Sequence, residues 1–252
     1  MSRKSKRNRP PQDQPFAAPM AAPAAVTAPP VPEGGNLGRV MGIVIAVTTL
    51  LIVIALAYKL LAGGGKPDPQ ADAGRVLALA SAQAPTIGPA DAKVHIVEFM
   101  DPACETCALL YPHVKKIMAA NPGKIRLSVR HVAFHKGADQ AVRILEGARV
   151  QGKYFEALEA LLANQEAWVD SHRVVPERIP AATMAVGLDW ERLRNDMNAA
   201  EVSGRMEQDM ADAKVLAVTK TPEYFVNGRQ MSEFGLEQLR NLIQGELKRA
   251  YP

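Results

Sequence analysis

Cys104 and Cys107 are the only two cysteines in a chain of 252 residues. Three apart on a helix, they lie on one face and close enough to bridge. A thiolate attacks disulfides, so such a pair predicts thiol–disulfide exchange. The flanking stretch VHIVEFMDPACETC, residues 94–107, reads as an apolar strand, a short turn and a Cys-Glu-Thr-Cys motif that opens a helix. Unpaired N–H groups and the helix dipole favour negative charge at that end. Cys104, at the helix start, is therefore the expected nucleophile. Cys107, one turn in, is the expected resolving thiol, with Glu105 and Thr106 as the dipeptide between them.

Other chemistries stay open for the same pair. Zinc asks for about four ligands, and there is no second C-x-x-C; His113, His131 and His135 do not have zinc-finger spacing. Two thiolates alone suit soft Cu(I), which would make the protein a metal-handling dithiol module. A purely structural disulfide would close too short a loop to constrain much, and the chain would then be a partner-docking module. Cys104→Ser/Cys107→Ser variants and stoichiometric copper binding separate these readings.

Three further features belong to the same chemistry. Thr221-Pro222 precedes a short strand, and an X-Pro bond there is a candidate for the cis form. Glu98 lies mid-strand among Ile96, Val97 and Phe99. Facing outward it is a surface acid; facing the helix it is buried beneath Cys107 with a raised pKa, apt for relaying that thiol's proton. Asp101 and Glu105 flank Cys104, and a nearby carboxylate disfavours its thiolate. His131 and His135, around the end of the second strand, read as ordinary surface groups. Lys115-Lys116 reads as a solvated face.

The elements around the motif follow from pattern. Val94–Met100 is apolar on both faces, as in a central strand. A helix over 104–120, interrupted near Pro112, ends at Asn121-Pro122-Gly123, and 125–133 is a second strand. Thr86-Ile87-Gly88-Pro89 reads as a turn. Residues 138–218 read as nearly all helical. A short strand over 224–226, an Asn-Gly turn and a return strand over 229–231 make a hairpin, Asn-Gly being a strong hairpin signal. A closing amphipathic helix over 235–249 carries Leu236, Leu239, Leu242, Ile243 and Leu247 on one stripe. This order predicts an α/β thioredoxin fold with a helical insertion.

Charge is unevenly distributed. Residues 1–66 hold eight Lys/Arg against two acids, which leaves 22 basic and 24 acidic side chains beyond them. The globular part thus lacks the basic footprint of a nucleic-acid binder. Residues 1–36 are basic, then rich in proline and alanine, and read as a disordered tail. Val40–Ala57 is 18 residues without a charge, so 37–62 reads as one transmembrane helix rather than a cleaved signal. Six Lys/Arg precede the charge-free run and only Lys59 and Lys66 closely follow it, which predicts an N-terminus in the cytoplasm and the rest outside. Residues 63–85 read as a linker with a short helix near 71–83, and 86–252 as the folded domain.

The runs V-E-F-M-D-P-A-C-E-T-C over 97–107 and T-P-E-Y-F-V-N-G over 221–228 resemble the DsbA-like branch of the thioredoxin superfamily, over roughly residues 86–250. The resemblance implies a nucleophilic Cys104, a resolving Cys107, a cis and substrate-facing Pro222 preceded by Thr221, and a buried Glu98. It implies a membrane-anchored or periplasmic disulfide oxidoreductase without organic cofactor or metal. Cysteine-containing exported proteins would be its substrates. A membrane redox partner, either a quinone-linked oxidase or a thiol-delivering reductase, would recycle it at the inner membrane. The chain departs from the family's stronger oxidants, which often carry Pro-His between the cysteines. With Glu105-Thr106 in that place, the helix terminus (~0.3–1 kcal/mol) and the nearby carboxylates nearly cancel. Redox direction stays open, with a tilt away from strong oxidant.

Overall fold

The structure, a computed structural model, describes residues 37–62 and 69–252. The expected tail over 1–36 and the glycine linker at 63–68 lie outside them. The chain forms two units, Met1–Gly65 and Lys66–Pro252. In the first, α1 (Leu37–Ala62) contains the charge-free window Val40–Ala57, of mean hydropathy 2.9 and with none of it buried. It is long and apolar enough to cross a membrane.

The second unit opens with α2 (Pro69–Leu79) and β1 (Thr86–Ile87). It continues with β2 (Val94–Met100), α3 (Glu105–Ala119) and β3 (Ile125–His131). The inserted block holds α4 (Ala138–Val150), α5 (Tyr154–Ala163), α6 (Gln165–Trp168), β4 (Val169–Asp170), β5 (Arg173–Val174), α7 (Ile179–Ala182), α8 (Trp190–Asp196) and α9 (Ala200–Val215). The chain closes with β6 (Glu223–Val226), β7 (Arg229–Gln230) and α10 (Leu236–Ala250).

One sheet, ordered β1-β3-β2-β6-β7, organises this unit. β2 and β3 pair in parallel, as a βαβ crossover through α3 requires, and the other pairs are antiparallel. β2 sits in the middle, and its period-2 alternation divides its side chains between two cores. Val94, Ile96 and Met100 join Cys107, Leu110 and Val114 of α3 and Leu239 and Ile243 of α10. Val97 and Phe99 join Phe225 and α9's Ala213. The Phe99 and Phe225 rings meet edge to face at 6.0 Å.

Several sequence expectations are corrected here. Helix α3 runs unbroken through Pro112, because Leu110, Tyr111 and Val114 around it are all buried and hold the turn that lacks one N–H. Thr86–Ile87 is a strand rather than a turn: it pairs with Ser128 and Leu127, and the Thr86 and Ser128 hydroxyls lie 2.7 Å apart. The inserted block is not all helix. Its β4–β5 hairpin turns at Ser171 and His172, both with positive φ (50° and 60°), a conformation usually marked by Asn or Gly. At the other hairpin Asn227 and Gly228 do adopt it, with φ of 47° and 81°.

The second face of the sheet also carries a buried charge. Arg130 of β3 is fully buried. It donates to Asp209 (2.5 Å) and Asp212 (2.5 Å) of α9 and to the Ala78 carbonyl of α2 (2.9 Å). Removing one member of a buried ionic set leaves uncompensated charge. Arg130→Leu should therefore cost about 3–5 kcal/mol in urea unfolding of the full-length chain in detergent. Lys115→Leu, which removes only the surface pair with Glu159 at 2.8 Å, should cost less than about 1 kcal/mol. Equal costs would contradict this account.

Candidate active site

Cys104 is the N-cap residue of α3, with φ −78° and ψ 118°, and no side chain caps the helix. The turn that delivers it is held from below. Asp101 is fully buried. One of its carboxylate oxygens accepts from the Ala103 N–H (2.8 Å). The other accepts from the Phe134 and His135 N–H groups (2.8 and 2.7 Å) and meets His135 Nδ1 at 2.8 Å. The Gln165 amide of α6 donates to the Pro102 carbonyl at 2.9 Å. The strand–helix turn is thus tied both to the loop after β3 and to the insertion.

Both cysteines are free thiols, but their surroundings differ. Cys107 is fully buried, whereas Cys104 keeps 7% of its surface exposed. Cys104 Sγ lies 3.4 Å from the Thr221 carbonyl oxygen. The hydrogen bond from the Cys107 thiol, aided by the Thr221 side chain and the backbone N–H groups of Cys107 and Thr106, outweighs burial and lowers the Cys104 pKa from 9.0 to about 5. Burial, the Cys104 sulfur and the Glu98 carboxyl push the Cys107 thiol well above its ordinary value. The two sulfurs therefore carry one negative charge between them, and it sits on Cys104.

Glu98 faces the helix. It is fully buried, and it stands directly opposite Tyr224 in the β2–β6 register. The Tyr224 hydroxyl donates to Glu98 Oε1 at 2.9 Å, while Oε2 has no partner. Burial, opposed by the Tyr224 hydrogen bond and reinforced by the Cys104 charge, raises its pKa from 4.5 to about 8. The Thr221–Pro222 peptide bond is cis. Glu98, Cys104, Cys107 and Thr221 are thus brought together, with Pro222 next in the chain.

The remaining sequence candidates are corrected in part. His131 is not a surface group: it is buried, with its Nε2 2.6 Å from the Tyr154 hydroxyl. His135 is half-buried and tied to Asp101. Asp101 and Glu105 are not among the main influences on the Cys104 thiol. Four donors from the surrounding turns already engage Asp101. Glu105 points to solvent beside His172, both about 70% exposed, at 3.3 Å; such a pair contributes little. Among the described residues, no group of three or more His, Cys, Asp or Glu is placed to hold a metal ion. Sequence reasoning missed Tyr224 and Gln165. Tyr224 could have been found by alternation, since strand pairing puts it on the Glu98 face. Gln165 left no signal in its spacing.

A family model described as thioredoxin matches residues 80–245. A thioredoxin-like oxidoreductase from Silicibacter pomeroyi superposes with a TM-score of 0.59 at 30% identity, covering 68% of this chain and 96% of that one. BdbD from Bacillus subtilis superposes with a TM-score of 0.57 at 23% identity, over 66% of this chain and 93% of that one. A probable disulfide bond formation protein D from Bacillus anthracis is 25% identical over 231 residues, 86% of this chain and all of that protein. A Na(+)/H(+) antiporter NhaA from Herminiimonas arsenicoxydans is 31% identical over 144 residues. This chain spans only about a fifth of that antiporter's length (22%), with 57% of the chain aligned. The chain belongs to the thioredoxin family, and its fold is that of the DsbA-like thiol–disulfide oxidoreductases.

Because the folded pKa of Glu98 lies above its unfolded value, its contribution to stability is fully present below pH ~4.5 and is lost as pH rises toward 8. The slope is at most about 1.4 kcal/mol per pH unit. Glu98→Gln removes it. In the reduced protein, the stability difference (variant minus wild type) should therefore rise by about 3 kcal/mol between pH 5 and 7. A difference that stays flat in denaturant titrations would refute the buried, protonated carboxyl.

Proposed function

We propose that this protein is a membrane-anchored, extracytoplasmic thiol–disulfide oxidoreductase that takes electrons from the cysteines of exported proteins through Cys104 and Cys107. The observation that carries this reading is the unequal pair. A sulfur with a pKa of about 5, on a residue that keeps 7% of its surface exposed, sits at a helix N-terminus against the Thr221 carbonyl, and a fully buried partner lies one turn behind.

In the reaction, a substrate thiolate attacks Cys104 Sγ of the disulfide form. The Cys104–Cys107 bond breaks, and its electron pair goes to Cys107. Glu98, whose carboxyl burial keeps in the protonated form, supplies the proton to Cys107. The substrate's second thiolate then attacks the substrate sulfur of the mixed disulfide. The substrate disulfide forms, and Cys104 leaves as a thiolate. That thiolate is stabilised by the Cys107 thiol and the first N–H groups of α3. The protein has gained two electrons, and Glu98 recovers its proton from solvent.

A stabilised thiolate favours the reduced form, which makes the pair an oxidant. This reverses the tilt inferred from the Glu105-Thr106 dipeptide, since the stabilising groups come from the backbone, Cys107 and Thr221 instead. In this reading the Thr221 carbonyl, beside Cys104 Sγ, accepts from a substrate's backbone N–H, with Pro222 next to it. A membrane redox partner, either a quinone-linked oxidase or, for the reverse flow, a thiol-delivering reductase, would reset the pair.

Helix α1 supports the anchor. The excess of Lys/Arg before it supports a cytoplasmic N-terminus, with residues 67–252 in the periplasm.

Cys107→Ser, expressed full length in a bacterium, should accumulate mixed disulfides with exported proteins, seen as adducts that dithiothreitol releases. Cys104→Ser/Cys107→Ser should show none. Adducts that persist without Cys104 would sink this reading.

A further inference from the structure

Glu98 and Tyr224 stand opposite one another on the two central antiparallel strands, both fully buried, joined by one hydrogen bond. Cross-strand neighbours on one face have their Cβ atoms only about 5 Å apart, so the register itself imposes this contact. The bond engages Oε1 alone, and Oε2 is buried without a partner. The same strand entry carries Thr221, whose carbonyl lies on Cys104 Sγ.

We propose that Tyr224 is a positioning residue: its hydroxyl holds Oε1 of Glu98 as the accepting oxygen, keeps the carboxyl proton on Oε2, and so sets the pH at which Glu98 gives that proton up. This rests on the oxidoreductase reading above. When Oε1 accepts from tyrosine, the carboxyl proton resides on Oε2. The reverse arrangement, Oε1–H donating to the phenol oxygen, would leave the tyrosine O–H without an acceptor in a buried site, which is unfavourable. Disulfide opening moves the S–S electron pair to Cys107 and the Glu98 proton, by way of one bridging water, to its sulfur, leaving a carboxylate that still accepts from Tyr224. Closure runs the same transfer backward. A donor to the carboxylate lowers its pKa. Without it, burial acts on Glu98 unopposed. The titratable groups facing Glu98 are Cys104, Cys107 and Tyr111 of α3 and Tyr224 of β6, and all of them are neutral or acidic types.

The test follows reduction of the Cys104–Cys107 disulfide by dithiothreitol from pH 6 to 9.5, in the full-length chain in detergent. Each variant's rate is divided by that of Glu98→Gln, so that ionisation of the reagent cancels. The wild-type ratio should fall as Glu98 loses its proton. In Tyr224→Phe the midpoint of that fall should move up by about one pH unit. Difluorotyrosine at position 224, a stronger donor, should move it down. In the Glu98→Gln background neither replacement should change the shape of the profile. A Tyr224→Phe profile that superimposes on wild type, or drops equally at every pH, would overturn the inference, as would a shift that survives in Glu98→Gln. Exchange that persists in Cys104→Ser/Cys107→Ser would remove the oxidoreductase reading and this inference with it. Exchange that needs the cysteines, with an unmoved Tyr224→Phe midpoint, would remove this inference alone.

Discussion

The charge on one sulfur is the constraint on which the rest of this domain depends. A thiolate at Cys104 needs donors, and a thiol at Cys107 needs their absence. The start of helix α3 supplies both conditions within four residues. Cys104, as N-cap residue, meets the N–H groups of Thr106 and Cys107, while Cys107 is fully buried. Neither condition involves the exposed dipeptide side chains. Glu105 points to solvent, and Thr106 acts through its backbone. The chemistry of the pair is therefore set by the position of the helix terminus in the fold.

That position is held by groups far apart in the sequence. Asp101 binds the turn before Cys104 to the loop after β3, and Gln165 binds it to the insertion. Strand pairing places Glu98 against Tyr224 on the face that packs on α3. Arg130, on the far face, joins β3 to α9 and to the end of α2. The inserted block thus buttresses the motif through Gln165, and clamps the opposite face of the sheet through α9. Buried polar groups recur because each joins elements whose apolar faces alone would leave the register loosely specified.

Much of this was legible in the residues. A strand, two cysteines at a helix start, a late Thr-Pro and an Asn-Gly hairpin were enough to predict the thioredoxin order with its insertion. The burial of Glu98 was implied by the family resemblance, because its place in the strand alone left either face open. What escaped was whatever depends on contacts between distant segments. Asp101 read as a charge that would oppose the thiolate, because its four donors come from Ala103, Phe134 and His135. His131 read as a surface group, because Tyr154, which buries it, lies in another element. Ser171 and His172 turn a hairpin without Asn or Gly, so composition could not mark it. Pro112 read as a break, because propensity cannot weigh the packing around it.

The most direct test of the thiolate is the reduction potential of the Cys104–Cys107 pair and its dependence on pH, obtained by equilibration against glutathione with the full-length protein in detergent. With Cys104 ionised in the reduced form, two electrons bring in a single proton. The potential should then fall by about 30 mV per unit between pH 5.5 and 7, and lie near −120 to −180 mV at neutral pH. A slope of about 59 mV per unit, with a potential near −270 mV or below, would mean that both sulfurs are thiols and that the pair is a reductant.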